Sequence, residues 1–186
     1  DQLRAISAVA KAHGLAVHLD GARFANACAA LGCTPAEMTW KAGVDAVSFG
    51  GTKNGCMGVE AVIFFDPAHG RELGLRRKRG GHLFSKHRYL SSQMLAYCAD
   101  DLWLTMAQAA NARMAQLVQG LARVPGAHLC HPAAGNLGFI EVPRAAHARA
   151  FAAGAQYYLF GGTVEDGSSD TPLRCRIVCD WSKTPE

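Results

Sequence analysis

The 186-residue sequence has no apolar run long enough to cross a bilayer. Its mostly apolar stretches, such as Val59–Phe65, stop far short of the roughly 20 residues that a spanning helix needs. No charged segment leading into an apolar stretch marks a secretory leader. CxxC pairs are missing as well. The seven cysteines (Cys28, Cys33, Cys56, Cys98, Cys130, Cys175 and Cys179) are odd in number and irregularly spaced, which points to buried, reduced thiols rather than a disulfide framework. Cys130 has His128 and His131 for neighbours, but the segment reads as a strand whose alternate side chains point to opposite faces, so no metal is expected. Internal repeats and low-complexity tracts are absent apart from a general richness in alanine. These absences lead to the expectation of a soluble, cytoplasmic protein with no membrane partner. The chain also lacks an initiator methionine, opens at Asp1-Gln2 inside a helical pattern and stops at Thr184-Pro185-Glu186 just past an apolar strand. A fragment of a longer protein is therefore expected.

What is present supports a folded core. Apolar residues make up 49% of the chain and charged ones only 18%, well outside the composition of disordered segments. The net charge of +4 is uneven: Arg76-Arg77-Lys78-Arg79, followed by Lys86, His87 and Arg88, concentrates much of it. Such a run can be a solvated helix end, an anion site or a nucleic-acid surface. Aromatics are sparse around it (Phe84, Tyr89) and no recognised binding motif surrounds it, so no nucleic-acid partner is expected.

Along the chain, Leu3, Ile6, Val9 and Ala10 recur at helical spacing and Gly14 ends the helix. Leu15 to Leu19 then form a short apolar strand that ends in a carboxylate, Asp20. A second helix spans about Ala22–Leu31, and Thr34-Pro35-Ala36-Glu37 offers a capping box that starts a short third one. Strands are expected at Val44–Phe49 and, fully buried, at Val59–Phe65, with a tight loop at Gly50–Gly55 between them. Arg71–Arg79 is helical, and Tyr89–Leu121 continues as one long helical pattern. Beyond Pro125-Gly126, strands at His128–Cys130, Leu137–Val142 and Arg174–Cys179 flank a helix near Ala145–Ala153. Helices alternating with strands give an α/β class, followed by a small α+β unit. The expected division is 1–88 for the larger part, 89–122 for a connecting helix and 123–186 for the small C-terminal domain.

Asp20 and Lys53 each follow a strand, and ligands of open α/β sheets bind where parallel strands end. Taken singly, Asp20 reads as a cap for the next helix and Lys53 as a solvated loop lysine. Taken together, with Arg23 three residues after Asp20, they form the set that carbanion chemistry on pyridoxal phosphate requires. A lysine amine forms the Schiff base, a carboxylate keeps the ring nitrogen protonated, and an arginine grips the substrate carboxylate in a two-pronged fork.

His18-Leu19-Asp20-Gly21-Ala22-Arg23 and Asp45-Ala46-Val47-Ser48-Phe49-Gly50-Gly51-Thr52-Lys53-Asn54-Gly55 resemble the paired signature of the low-specificity L-threonine aldolases, members of the beta-eliminating lyase group of fold-type I pyridoxal-phosphate enzymes. Arg76–His82 and Arg176-Ile177-Val178-Cys179 are similar to that family too. The resemblance implies that the α/β part belongs to the mostly parallel sheet domain of a fold-type I enzyme. It further implies pyridoxal 5'-phosphate as cofactor and cleavage of threonine or allo-threonine to glycine and acetaldehyde. Lys53 would be the Schiff-base lysine and Asp20 the partner of the ring nitrogen. Arg23 would lie beside cofactor and substrate carboxylate, and Arg176 would be the second carboxylate ligand. Arg174 shares a strand face with Arg176, so the choice between them rests on the resemblance. His18 is expected to be a hydrogen-bonded structural residue. Arg79, or the amides of Gly80 and Gly81, would hold the cofactor phosphate of a neighbouring subunit in a homodimer or homotetramer with shared sites. His82 and His87 leave the general base unassigned. A chain of this length, without the family's amino-terminal half, is expected to hold the cofactor weakly. The rival expectations are a pyridoxal-phosphate enzyme for another β-substituted amino acid, such as a phenylserine aldolase, a β-eliminating lyase or a transaminase, and a non-catalytic nucleic-acid-binding domain.

Overall fold

A helix, α1 (Gln2–Ala12), leads into β1 (His18–Gly21), α2 (Phe24–Leu31), β2 (Ala46–Gly50) and β3 (Glu60–Phe64), after which come α3 (Gly70–Arg79), α4 (Arg88–Cys98) and α5 (Leu102–Leu121). The second half adds β4 (His128–Leu129), β5 (Leu137–Pro143), α6 (Arg144–Ala152), β6 (Tyr158–Phe160) and β7 (Pro172–Val178). The computed structural model describes residues 2–184. They fall into two units that divide inside α5, between Met106 and Ala107.

In the first unit the strand order is β1-β2-β3. β1 runs parallel to β2, pairing Asp20 with Ser48, and β3 returns antiparallel. The core lies where α2 meets the sheet. Phe24, Ala25 and Cys28 of α2 and Val47 of β2 are buried together with Tyr97 and Trp103. Phe49 sits edge-on to Phe24 and Trp103 at ring distances of 5.8 and 5.9 Å. Beside this cluster, an apolar cavity of about 410 Å³ is lined by Phe24, Val47, Phe49, Ile63 and Trp40 among others.

In the second unit the order β4-β5-β7-β6 is antiparallel throughout. Ile140, Leu173 and Cys175 are buried on one face, and His147 of α6 is fully buried with them. Its Nε2 lies 2.8 Å from the Leu173 carbonyl, which can only accept, so Nδ1 is the acceptor for the Tyr157 hydroxyl at 2.9 Å. A side chain at Gly138 would press on Met114 Sδ of α5 at 3.3 Å, so glycine lets the helix lie close.

Several expectations are corrected. The single helix over 89–122 is two helices, broken at Ala99–Asp101, where Asp100 and Asp101 take positive φ of 49° and 54°. Aspartate tolerates that left-handed region, and the apolar periodicity runs on across the break. The capping box at Thr34 forms, with Thr34 N–H donating to Glu37 Oε2 at 2.9 Å and Glu37 N–H to Thr34 Oγ1 at 3.3 Å. The helix behind it does not propagate. The Thr39 hydroxyl takes the Pro35 carbonyl at 2.6 Å, diverting an acceptor that a helix would use, and only a 3₁₀ turn at Trp40–Ala42 follows. The first strand begins at His18 rather than Leu15 and runs through Asp20 to Gly21. β3 is an edge strand with Val62 and Ile63 exposed, not buried. On α1 the buried residue is Ser7, which packs on Gly43, while Ile6 and Val9 face outward. All seven cysteines are free; Cys28 and Cys175 are buried, but Cys98 is exposed and the rest are half-buried. No helix among the described residues is long and apolar enough to cross a membrane.

Candidate active site

Because β1 and β2 are parallel, their carboxyl ends share one rim, and the loops that leave them touch. A Cβ on Gly50 would lie 2.9 Å from Ala22 Cα, and one on Gly21 would collide with the Ser48 carbonyl. Glycine at these two positions is what lets the backbone after Asp20 lie against the backbone before Lys53. Asp20 is exposed at this rim. Its Oδ1 accepts the Ala22 N–H at 3.1 Å in a turn two residues on, not as the helix cap expected, since Arg23 precedes α2 and no side chain caps it. Its Oδ2 has no hydrogen-bond partner among the described residues. Arg23 follows Ala22 directly and is half-buried at the start of α2. His18 bonds through Nε2 to Ser48 Oγ at 2.8 Å, fixing the two strands side to side one pleat below Asp20, as the structural reading expects.

Lys53 stands exposed on a 3₁₀ turn, Thr52–Asn54, whose anchor is the residue after it. Asn54 is buried and donates to Tyr97 Oη at 2.6 Å and to the Trp103 carbonyl at 2.8 Å. The Tyr97 hydroxyl in turn donates toward the Gly50 carbonyl at 3.5 Å. Glu60 accepts the Thr52 N–H at 3.3 Å from β3. The loop that presents the amine is therefore pinned from both sides. Sequence reasoning missed Asn54 and Tyr97: the first reads as a turn residue and the second as one apolar position of a long helix. Burial pushes the Tyr97 hydroxyl up to about 12, so it remains a donor throughout the neutral range.

In the second unit, β7 carries two arginines on one face with different partners. Arg174 donates Nε and Nη2 to Glu141 Oε1 at 3.1 and 2.9 Å, so its charge is met across the strand pair. Arg176 lies with its guanidinium carbon 5.5 Å from the Tyr158 ring centre and 6.0 Å from that of Phe160. Its Nε is buried with no hydrogen-bond partner among the described residues. A desolvated donor flanked by aromatic rings is equipped for a carboxylate, and this difference separates the two arginines on physical grounds.

Arg79 ends α3 in an exposed basic last turn, and no bond joins it to Asp20 or Lys53 among the described residues. The amides beside it do not fit the phosphate role expected of them. Gly80 N–H donates to Arg76 O at 2.8 Å and Gly81 N–H to Lys78 O at 3.2 Å, so both close the helix instead. His82 is exposed, and His87 packs edge-on against Phe84.

A carboxylate with one oxygen open, a pinned loop with an exposed amine and two closely apposed glycine backbones suit a flat cofactor with a protonated ring nitrogen and an aldehyde. Residues 1–143 match the model of the family described as beta-eliminating lyase. The chain is 42% identical over 181 residues to the low specificity L-threonine aldolase of Pseudomonas aeruginosa, covering 97% of this chain and 50% of that protein. It is 43% identical over 182 residues to the protein of the same name from Pseudomonas sp. (strain NCIMB 10558), with the same coverage. Among solved structures, the Leishmania major threonine aldolase superimposes with a TM-score of 0.83 at 29% identity, covering 98% of this chain and 51% of that one. The chain spans about half the length of the curated relatives it matches. The nucleic-acid reading of the basic run finds no support among them.

Proposed function

Because the chain belongs to the beta-eliminating lyase family, we propose that the protein it forms part of cleaves L-threonine and L-allo-threonine to glycine and acetaldehyde with pyridoxal 5'-phosphate as cofactor. The carrying observation is the shared rim: an acid at the end of β1 and an amine just after β2, their loops held together by Gly21 and Gly50. When bound, the cofactor supplies an electron-poor ring that accepts the electron pair released as a bond to the substrate α-carbon breaks.

The residues of this chain do the rest. Lys53 would provide the amine that tethers the cofactor. Asp20, through its open oxygen, holds a proton on the ring nitrogen. Arg23 and Arg176 would serve as ligands of the substrate carboxylate and so orient the substrate. Asn54 and Tyr97 keep the Lys53 loop in register. His18 fixes β1 to β2 through Ser48. The base that takes the β-hydroxyl proton is left open between His82, His87 and a group outside this chain.

In the same reading, residues 1–88 belong to the cofactor-binding part and 89–122 connect it to the small C-terminal part over 123–186. Arg79 reaches the cofactor phosphate of a neighbouring subunit in a homodimer or homotetramer. Free cysteines throughout accord with a cytoplasmic protein. Product analysis on the full-length protein tests the activity. Threonine should give acetaldehyde and glycine in equal amounts. Release of ammonia with a keto acid would make it an eliminating lyase instead, and turnover of phenylserine alone would move the substrate class.

A further inference from the structure

Three sulfur atoms converge just past α2, away from the rim described above. α2 ends at Leu31, and Gly32 takes a left-handed φ of +61°, sending its own N–H back to the Cys28 carbonyl. Cys33 N–H reaches the same carbonyl at 3.4 Å, so the chain doubles back and brings Cys33 beside Cys28. The capping box at Thr34 then closes a second turn and returns Met38 to the same spot. Cys28 Sγ lies 3.6 Å from Met38 Sδ and Cys33 Sγ 3.8 Å from it, and both cysteines are free thiols.

Sulfurs 3.6 to 3.8 Å apart can both lie about 2.2 to 2.3 Å from one shared ion, close to a metal–sulfur bond. We infer that Cys28, Cys33 and Met38 form a trigonal site for a soft monovalent cation, Cu(I), held by two thiolates and one thioether. The donor set decides the ion: thiolate and thioether sulfur select Cu(I), while zinc asks for four ligands and tetrahedral geometry. No group of three or more His, Cys, Asp or Glu side chains stands ready for a metal among the described residues, so a fourth hard ligand is not at hand. Binding replaces the two thiol protons, which leave to solvent, and changes the oxidation state of neither metal nor sulfur. Cys33 and Met38 are half-buried and give solvent access, while Cys28 closes the floor. Occupied, the site would clip the end of α2 to the turn that follows it.

The test is an anaerobic titration of the full-length protein with Cu(I) supplied as its acetonitrile complex, in competition with a chromophoric Cu(I) chelator. One equivalent should be withdrawn from the chelator by the wild type. X-ray absorption should show three sulfurs at about 2.2 to 2.3 Å. Met38→Leu preserves volume and keeps the fold, so it isolates the thioether. It and Cys33→Ser should each weaken retention at least tenfold, while Cys98→Ser should not. Equal retention in wild type, Met38→Leu and Cys33→Ser, or two-sulfur coordination that Met38→Leu leaves unchanged, would overturn the assignment. So would tighter binding of Zn(II) than of Cu(I) at these residues.

Discussion

At the residue scale, the sharpest expectation concerns Asp20. Asp20→Asn keeps the size of the side chain and its acceptor for the Ala22 amide, but removes the charge proposed to hold a proton on the ring nitrogen. Steady-state rates on threonine should fall by about a thousandfold, roughly 4 kcal/mol, with the cofactor still bound. An unchanged rate would end its proposed role. Lys53→Ala should abolish covalent retention of the cofactor after borohydride reduction, and an adduct found on another lysine would move the assignment. The arginines of β7 give a paired test. Arg176→Gln should raise KM for threonine by more than tenfold, whereas Arg174→Gln removes only an exposed ion pair with Glu141 and should change KM little. These residue identities were legible in the sequence, since type and spacing alone bring acid, amine and fork into view. The preference for Arg176 rested there on the family resemblance alone, and its physical ground was not legible. It depends on Glu141 lying opposite Arg174 across β5 and β7, a register no local pattern reveals.

At the element scale, the loop of Lys53 is held by a residue buried beside it. Tyr97→Phe removes the acceptor of the Asn54 amide and the donor toward Gly50, which should destabilise the protein by about 1–3 kcal/mol. Its further signature should be a fall in kcat with cofactor affinity retained. A loss of stability with kcat intact would reduce Tyr97 to a core residue. Gly50→Ala should be worse than an ordinary surface change, because the added methyl meets the backbone of Ala22. Most elements could be read from the chain: α1, α2, α3 and α6 and the strands β2, β5 and β7 fall near their expected places. The failures share a cause. At Thr39 a side-chain hydroxyl takes a helix acceptor, and at Asp100-Asp101 two left-handed residues stop a helix whose apolar rhythm continues. Both are local backbone choices that a periodicity of apolar residues does not register.

At the scale of the whole molecule, burial sets the response to pH. It pushes the thiol of Cys28 and the hydroxyl of Tyr97 up to about 12, and the thiol of Cys175 to about 11. The unfolded chain releases these protons nearer to pH 9 or 10, so the folded state holds more protons above that point. Stability from these groups is fully present below about pH 8 and is lost as pH rises from 9 toward 12. Denaturation midpoints of the metal-free protein should therefore decline above pH 9; a midpoint that rises there would contradict the burial. What the sequence by itself determined was the chemistry on offer and the order of helices and strands, because residue type and short-range spacing dictate both. Tertiary structure decided which of these groups meet. Parallel pairing of β1 with β2 brings Asp20 and the Lys53 loop to one rim, a cross-strand glutamate separates Arg174 from Arg176, and a left-handed glycine gathers three sulfurs. Each depends on residues distant in the chain or on a backbone reversal, where contact follows from the path of the fold and not from the composition of a segment.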